Sequence, residues 1–182
     1  ISQAVGIGKQ VLYLLPEISL TPQIVKRLQM FFGNEVTVYH SKFSVNERTE
    51  IWNNVIEKSP KAKIIIGTRS ALFLPFQNLG LLIVDEEHEL SYKQFDPSPR
   101  YHARDSAVIL ARIHKAKVLL GSATPSLESS FNQRSGKYGW VQLQERYGNV
   151  ELPEIITIDL KLAHKKKQMR GGFSKIMIEE MG

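Results

Sequence analysis

Short apolar runs recur along the chain, separated by segments whose apolar residues return at helical spacing. Apolarity that is continuous rather than alternating is typical of strands covered on both faces, as in a parallel sheet. Five such runs, rich in Val, Ile and Leu, are the predicted strands: residues 10–15, 36–39, 62–66, 81–84 and 117–120.

Helices are predicted between these strands, over residues 21–32, 45–58 and 103–114. Ser44 and Glu47 form a capping-box signature at the start of the second helix. The alternation of strands and helices predicts an α/β domain with a doubly wound, mostly parallel sheet in three layers (α/β/α).

The texture of the sequence changes after Gly139. The stretch "HKKKQMRGG" is basic and ends in glycines, which is typical of a linker. The first residues resemble the end of a helix and the last a helix just begun, so we expect a piece of a longer protein. The expected organisation is a domain over residues 1–139, its closing segment over 140–163 with short strands at 140–143 and 155–160, and a linker with the start of a second domain over 164–182.

Composition narrows the possible partners. A net charge of +6 and a pI of about 9.5 favour an anionic partner such as nucleic acid. There is no run of about 18 uncharged apolar residues, so no membrane span is indicated. Without cysteine, these residues form neither a disulfide nor a thiolate zinc site.

Four of the predicted strands run directly into polar segments. Because ligands of an open parallel sheet bind beyond the carboxyl ends of its strands, these segments predict one functional rim. In chain order they are "LPEISLTPQ" (15–23), "GTRSALFLP" (67–75), "DEEH" (85–88) and "GSATPS" (121–126).

Asp85 and Glu86 follow a buried strand, as the acidic pair of a Walker-B motif does. Such an aspartate holds Mg²⁺ through a water beside nucleotide phosphates, and Glu86 would orient the attacking water. Two alternatives stay open. Asp85 could cap a following helix that carries acids in its first turn. Glu86, Glu87 and His88 could instead be direct ligands of a metal-dependent hydrolase, although adjacent residues rarely converge on one ion.

The tetrapeptide "GIGK", residues 6–9, looks like the end of a phosphate loop. A Walker A motif needs Gly five residues before its Gly-Lys pair and Ser or Thr just after it, and Gln3 and Gln10 occupy those places. We therefore expect that Lys9 does not touch phosphate and that this chain lacks the phosphate loop.

The segment "SYKQFDPSPRYHARD", residues 91–105, interleaves aromatic rings with cations. Rings stack on bases, cations contact phosphates, and two nearby prolines favour an extended segment that reaches solvent. The alternative is that the rings pack inward. The candidate DNA contacts are Tyr92, Lys93, Phe95, Arg100, Tyr101 and Arg104.

Two further segments offer groups suited to sugar-phosphate contacts without base selection, namely hydroxyls, amides and helix N-termini. The candidates are Thr21 and Gln23 in "LTPQ" and Arg69 and Ser70 in "GTRS". Thr21 could also simply cap the helix that Pro22 opens.

Taken together, these motifs resemble those of superfamily 2 helicases. The four rim segments resemble that group's motifs Ia, Ib, II and III, in that order. Within the group, "PEISLTPQ", "IGTRSALFLPFQNLGLLIVDEEH", "SYKQ", "PRYHARD" and "LGSATPSLES" are similar to the primosomal replication-restart helicases, densely over residues 9–135.

This resemblance implies a RecA-like P-loop NTPase lobe from an ATP-dependent, 3′–5′ DNA helicase of the bacterial cytoplasm. It implies ATP and Mg²⁺ as ligands of the Asp85–Glu86 pair, and His88 as the link to Ser122 and Thr124. Forked and single-stranded DNA, primosome proteins and single-stranded DNA-binding protein are the implied partners.

The resemblance also implies what the chain lacks. The phosphate loop is expected upstream of Ile1, and the arginine finger and a cysteine-bound zinc module are expected in the second lobe. The 182 residues alone are therefore not expected to hydrolyse ATP. A nucleic-acid-binding module without turnover, or another superfamily 2 translocase, remains the alternative.

Overall fold

A computed structural model describes residues 1–143 and 154–181. The chain divides into two compact units, Ile1–Gly139 and Trp140–Gly182. The helices and strands of the first unit are α1 (Ser2–Gly6), β1 (Gln10–Leu14), α2 (Pro22–Phe32), β2 (Val36–Tyr39), α3 (Val45–Ile56), β3 (Ile64–Gly67), β4 (Leu79–Val84), α4 (Ala103–His114), β5 (Lys117–Leu120) and α5 (Leu127–Arg134).

The five strands form one sheet in the order β2-β3-β1-β4-β5, and every neighbouring pair is parallel. Strand β1 is central, with Leu14 in register with Gly67 of β3 and Val84 of β4. Since all five strands run the same way, their carboxyl ends meet at one edge of the sheet.

Both faces of the sheet are covered, which explains the continuous apolar runs in the sequence. Successive residues of β1 alternate between the faces: Leu12 and Leu14 pack with α3 and α4, whereas Val11 packs with α1 and α2. The predicted three-layer α/β fold with a parallel sheet is confirmed. The predicted capping box is also present, because Ser44 N–H donates to Glu47 Oε2 at 2.8 Å and Glu47 N–H donates to Ser44 Oγ at 3.3 Å.

The two short strands expected after Gly139 are not formed by the residues described. Residues 140–143 and 154–159 lie outside helices and strands, and residues 144–153 of that segment lie outside the described part of the chain. The physical reason at the second site is a helix start: Asp159 Oδ1 accepts from the N–H groups of Lys161 and Leu162, so α6 begins at Leu160.

The second unit contains α6 (Leu160–Lys165), β6 (Met169–Arg170), β7 (Phe173–Ser174) and α7 (Lys175–Met181). The stretch predicted to be a plain linker therefore contains a small antiparallel hairpin, in which Met169 pairs with Ser174. Glycine makes this possible, because Gly171 takes a φ of +62° in the two-residue turn. No helix in the described residues is long and apolar enough to cross a membrane.

Candidate functional site

The polar segments after β1, β3, β4 and β5 lie side by side at the carboxyl edge of the sheet. Backbone hydrogen bonds continue past the strand ends: Asp85 N–H donates to Leu14 C=O at 3.0 Å, and Gly121 N–H donates to Val84 C=O at 2.8 Å. The rim expected from the sequence is therefore present, with the DEEH turn between the segments that follow β1 and β5.

Asp85 is held by two internal hydrogen bonds. The Tyr13 hydroxyl donates to Oδ2 at 2.8 Å, and the backbone N–H of Glu86 donates to Oδ1 at 3.1 Å. Burial, and then the nearby Asp85 carboxylate, raise the pKa of Tyr13 far above its ordinary value, so its hydroxyl remains a donor at neutral pH. Asp85 therefore has a fixed orientation and is only partly covered.

Glu86 adopts a left-handed backbone conformation with a φ of +47°, which is uncommon for a residue other than glycine. Its side chain is 44% exposed at the rim. Strained residues of this kind cluster at functional sites. No helix starts at Asp85, since the next helical segment of the chain is the short 3₁₀ helix Leu90–Tyr92. The helix-capping alternative for this acidic turn is therefore wrong.

His88 connects the acidic turn with the segment after β5. Its Nδ1 lies 2.7 Å from Ser122 Oγ, and its Nε2 lies 3.5 Å from Thr124 Oγ1. Ser122 Oγ also accepts from the N–H of Thr124 at 3.0 Å. The three residues that the resemblance linked are thus in contact.

Glu87 turns the opposite way, into the protein, and is 1% exposed. Its carboxylate accepts from Ser126 N–H at 2.7 Å, from the hydroxyls of Ser126 at 3.0 Å and Ser129 at 2.9 Å, and from Arg104 at 3.1 Å. Burial opposes ionisation, but these donors outweigh it, so the pKa of Glu87 lies below its ordinary value.

This placement contradicts the metal-hydrolase alternative. Glu87 cannot join Glu86 and His88 around one ion, because its oxygens are occupied on the inner side of the turn. Within residues 1–143 and 154–181, no three His, Cys, Asp or Glu side chains converge in a way that would hold a metal directly.

The segment after DEEH, residues 93–102, is a closed loop, called the aromatic loop below. Lys93 and His102 form an antiparallel bridge at its base, and Gln94 N–H donates to Tyr101 C=O at 2.9 Å. The Gln94 side chain donates to the carbonyls of Pro97 at 2.8 Å and Pro99 at 3.1 Å. The loop therefore has a defined shape.

Two residues expected to contact DNA are instead buried beside this loop. Tyr92 is 1% exposed and donates its hydroxyl to the Asp85 carbonyl at 2.7 Å. Arg104 is 6% exposed and binds Glu87, Asp105 and Ser126. This placement favours the packing alternative for both side chains, because neither presents a free group to an external strand.

The other candidates in the loop lie nearer solvent. Phe95 is 64% exposed, Arg100 is exposed, and Lys93 is half-buried. Tyr101 is half-buried and packs edge-to-face on Phe73, with ring centroids 5.0 Å apart. Phe73 follows the "GTRS" segment and is itself 60% exposed.

Arg69 anchors the aromatic loop to the segment after β3. Its guanidinium donates to the carbonyls of Ser91 at 3.2 Å and Lys93 at 3.1 Å. Ser70 is half-buried, and its hydroxyl has no hydrogen-bond partner among the described residues. Thr21 and Gln23 are exposed at the start of α2, and the Thr21 side chain makes no capping hydrogen bond.

Sequence reasoning missed Tyr13, Phe73 and the inward role of Glu87. Tyr13 left a faint signal, because it is an aromatic residue with a polar tip inside an otherwise aliphatic strand. No local pattern identified the partners of Glu87, since Ser126 and Ser129 lie about forty residues further along the chain.

Residues 2–131 match the DEAD/DEAH box helicase family, and the chain belongs to that family. It is 48% identical to the replication restart protein PriA of Haemophilus influenzae over 96% of this chain and 23% of that protein. The identity to replication restart protein PriA of Bacillus subtilis is 40%, over 100% of this chain and 22% of that protein. The similarity to replication-restart helicases is therefore confirmed.

The chain spans about a quarter of the length of these relatives. Among solved structures, the C-terminal domain of S. cerevisiae Dbp5 is 18% identical, with a TM-score of 0.48 over 91% of this chain and 85% of that domain. That likeness is too weak to support an inference.

Proposed function

We propose that this chain is part of an ATP-dependent DNA helicase of replication restart that translocates 3′ to 5′. In this proposal it supplies the acidic half of the ATP site and contacts to the DNA backbone. The observation that carries the proposal is the geometry of the DEEH turn: Asp85 and Glu86 face the rim, while His88 lies 2.7 Å from Ser122.

The acidic pair suits Mg²⁺. This ion keeps several waters and needs only one or two carboxylates. Each oxygen of Asp85 accepts one internal hydrogen bond, which leaves lone pairs directed at a coordinated water. When bound, Mg²⁺ bridges the terminal phosphates of ATP and offsets their charge. Glu86, exposed beside Asp85, orients the attacking water and accepts its proton.

The rest of the nucleotide site comes from outside these residues. The 182 residues contain no Gly-x₄-Gly-Lys-Ser/Thr sequence. Lys9 is engaged elsewhere, since its ammonium donates to Asn78 Oδ1 at 2.5 Å. We place the phosphate loop upstream of Ile1, and the arginine finger and a zinc module in a second lobe.

The DNA contacts lie along the rim. Thr21, Gln23 and Ser70 bind the sugar-phosphate backbone, because they offer small polar groups that do not select a base. Phe95 and Tyr101 stack on bases, and Lys93 and Arg100 contact phosphates. Arg69 acts through the aromatic loop, whose carbonyls it binds. Tyr92 and Arg104 take internal roles.

The setting follows from the relatives' printed role in replication restart in bacteria. We infer that the whole protein acts in the bacterial cytoplasm on forked and single-stranded DNA. Primosome proteins and single-stranded DNA-binding protein are the proposed protein partners.

The test uses the full-length protein that contains this chain, with Glu86→Gln as the inactive control. We expect ATP hydrolysis stimulated by single-stranded DNA, and ATP-dependent unwinding of a fork with a 3′ tail but not of its 5′-tailed counterpart. Unwinding of the 5′-tailed substrate alone would reverse the polarity assignment. DNA binding without ATP hydrolysis would favour a binding module instead.

A further inference from the structure

Three segments of the first unit meet at one buried ion pair. Glu87 comes from the DEEH turn, Arg104 from the first turn of α4, and Ser126 from the N-terminal cap of α5. Arg104 donates to Glu87 at 3.1 Å and to Ser126 Oγ at 2.7 Å, and Ser126 donates from its backbone and its hydroxyl to Glu87. We call these residues, with Ser129, the Glu87 cluster.

The cluster connects the aromatic loop with the proposed ATP site. Arg104 lies two residues after His102, whose pairing with Lys93 closes the base of the loop. Glu87 lies between Glu86, the proposed general base, and His88, which contacts Ser122. The backbone N–H of Glu87 also donates to Gly121 C=O at 3.0 Å. A displacement of the loop that moves the start of α4 is therefore passed to the residues on both sides of Glu87.

We propose that Glu87 and Arg104 are positioning residues that couple DNA bound at the aromatic loop to ATP hydrolysis at Asp85 and Glu86. The inference rests on the function proposed above and adds two residues that contact neither DNA nor nucleotide. It replaces the expectation that Arg104 contacts DNA, because its guanidinium is almost completely covered.

The chemistry of the cluster specifies its residue types. Every group that faces the Glu87 carboxylate is a donor, so the amide nitrogen of a glutamine there would face donors only. Arg104 contacts Glu87, Asp105 and Ser126 through the separate nitrogens of one planar fork. A lysine keeps the charge but cannot reproduce that geometry.

The experiment compares Glu87→Gln and Arg104→Lys with wild type in the full-length protein. ATP hydrolysis is measured without DNA and with saturating single-stranded DNA, and the ratio of the two rates is the readout. We expect the ratio to fall by roughly 2- to 30-fold in each variant, with DNA affinity by fluorescence anisotropy close to that of wild type. Glu128→Gln is the matched control, because that carboxylate lies 3.7 Å from Arg104 but is 70% exposed.

Folding defects are separated by Glu87→Asp, which keeps the charge and shortens the side chain, and by melting temperature. If any folded variant of the pair lowers both rates equally, the cluster is only structural and the inference is overturned. A wild-type ratio in Glu87→Gln and Arg104→Lys would overturn it as well. If the wild-type protein itself shows no DNA-stimulated hydrolysis, the proposed function fails first.

Discussion

The hydroxyl of Tyr13 donates a hydrogen bond to Oδ2 of Asp85 at 2.8 Å, across 72 residues of sequence. It joins the central strand β1 to the acidic turn after β4. Because Asp85 is the proposed magnesium-side carboxylate, this bond sets the orientation of the residue on which the ATP site depends.

Removing that hydroxyl tests its contribution. Tyr13→Phe should lower the free energy of unfolding by about 0.5–1.5 kcal/mol, the usual net value of an intramolecular hydrogen bond. Chemical denaturation measures it, with Tyr39→Phe as control, because the Tyr39 hydroxyl makes no hydrogen bond among the described residues. Equal losses in the two variants would show that the Tyr13–Asp85 bond contributes nothing specific.

The isolated chain should not hydrolyse ATP. Asp85 and Glu86 are present, but no phosphate loop is found within the 182 residues, so the nucleotide lacks its main anchor. The measurement is phosphate release by the purified chain with single-stranded DNA, beside its Glu86→Gln variant. Turnover above that of the variant would contradict the prediction.

In the full-length protein, Glu86→Gln should lower turnover by roughly 10²-fold or more and leave ATP binding nearly intact, because the lost step is water activation. Asp85→Ala should also weaken the Mg²⁺-dependent part of ATP binding. Steady-state hydrolysis and nucleotide binding at several Mg²⁺ concentrations distinguish the two. Glu89→Gln is a control for charge alone, and near wild-type hydrolysis in both test variants would refute the assignment.

The two rings at the aromatic loop should behave differently. Phe95 is 64% exposed, so Phe95→Ala should weaken single-strand binding by about 1–3 kcal/mol and change stability little. Tyr92 is 1% exposed, so Tyr92→Ala should cost about 3–5 kcal/mol of stability and lower every activity together.

DNA affinity, DNA-stimulated hydrolysis and melting temperature are measured for both ring variants. The reverse pattern, with a stability loss in Phe95→Ala and a selective DNA defect in Tyr92→Ala, would show that the loop rearranges in the active protein.

Stability should fall in mildly acidic solution because of His102. Burial, and then the neighbouring Arg104, hold the pKa of His102 below its ordinary value of 6.5. As the pH falls through about 6.5, the unfolded chain takes up a proton that the folded chain does not, which favours unfolding. This loss continues until the folded-state pKa is reached.

The check is the free energy of unfolding between pH 7.5 and pH 5, on the order of one unit either side of that ordinary pKa. His102→Gln should flatten the decline relative to wild type, whereas His114→Gln, at the end of α4, should follow the wild-type curve. A decline in His102→Gln as steep as in wild type would assign the effect to other groups.

The sequence determined the sheet and the location of its functional rim. Apolar runs placed all five strands within two or three residues, because a strand buried on both faces needs uninterrupted apolar side chains. Parallel strands then bring their carboxyl ends to one edge, so the DEEH and GSATPS segments had to lie near each other. The expected strands at 140–143 and 155–160 failed, because short apolar runs alone do not supply a pairing partner.

Only the tertiary structure decided which polar side chains of that rim face outward. Glu86 and Glu87 are adjacent and chemically alike, yet one is exposed and the other is buried against Arg104. Phe95 and Tyr92 divide in the same way. The physical reason is that a buried carboxylate or hydroxyl needs partners, and those partners come from distant segments: Asp85 from Tyr13, and Glu87 from Arg104, Ser126 and Ser129. Local spacing along a chain carries no information about such contacts until the fold brings the segments together.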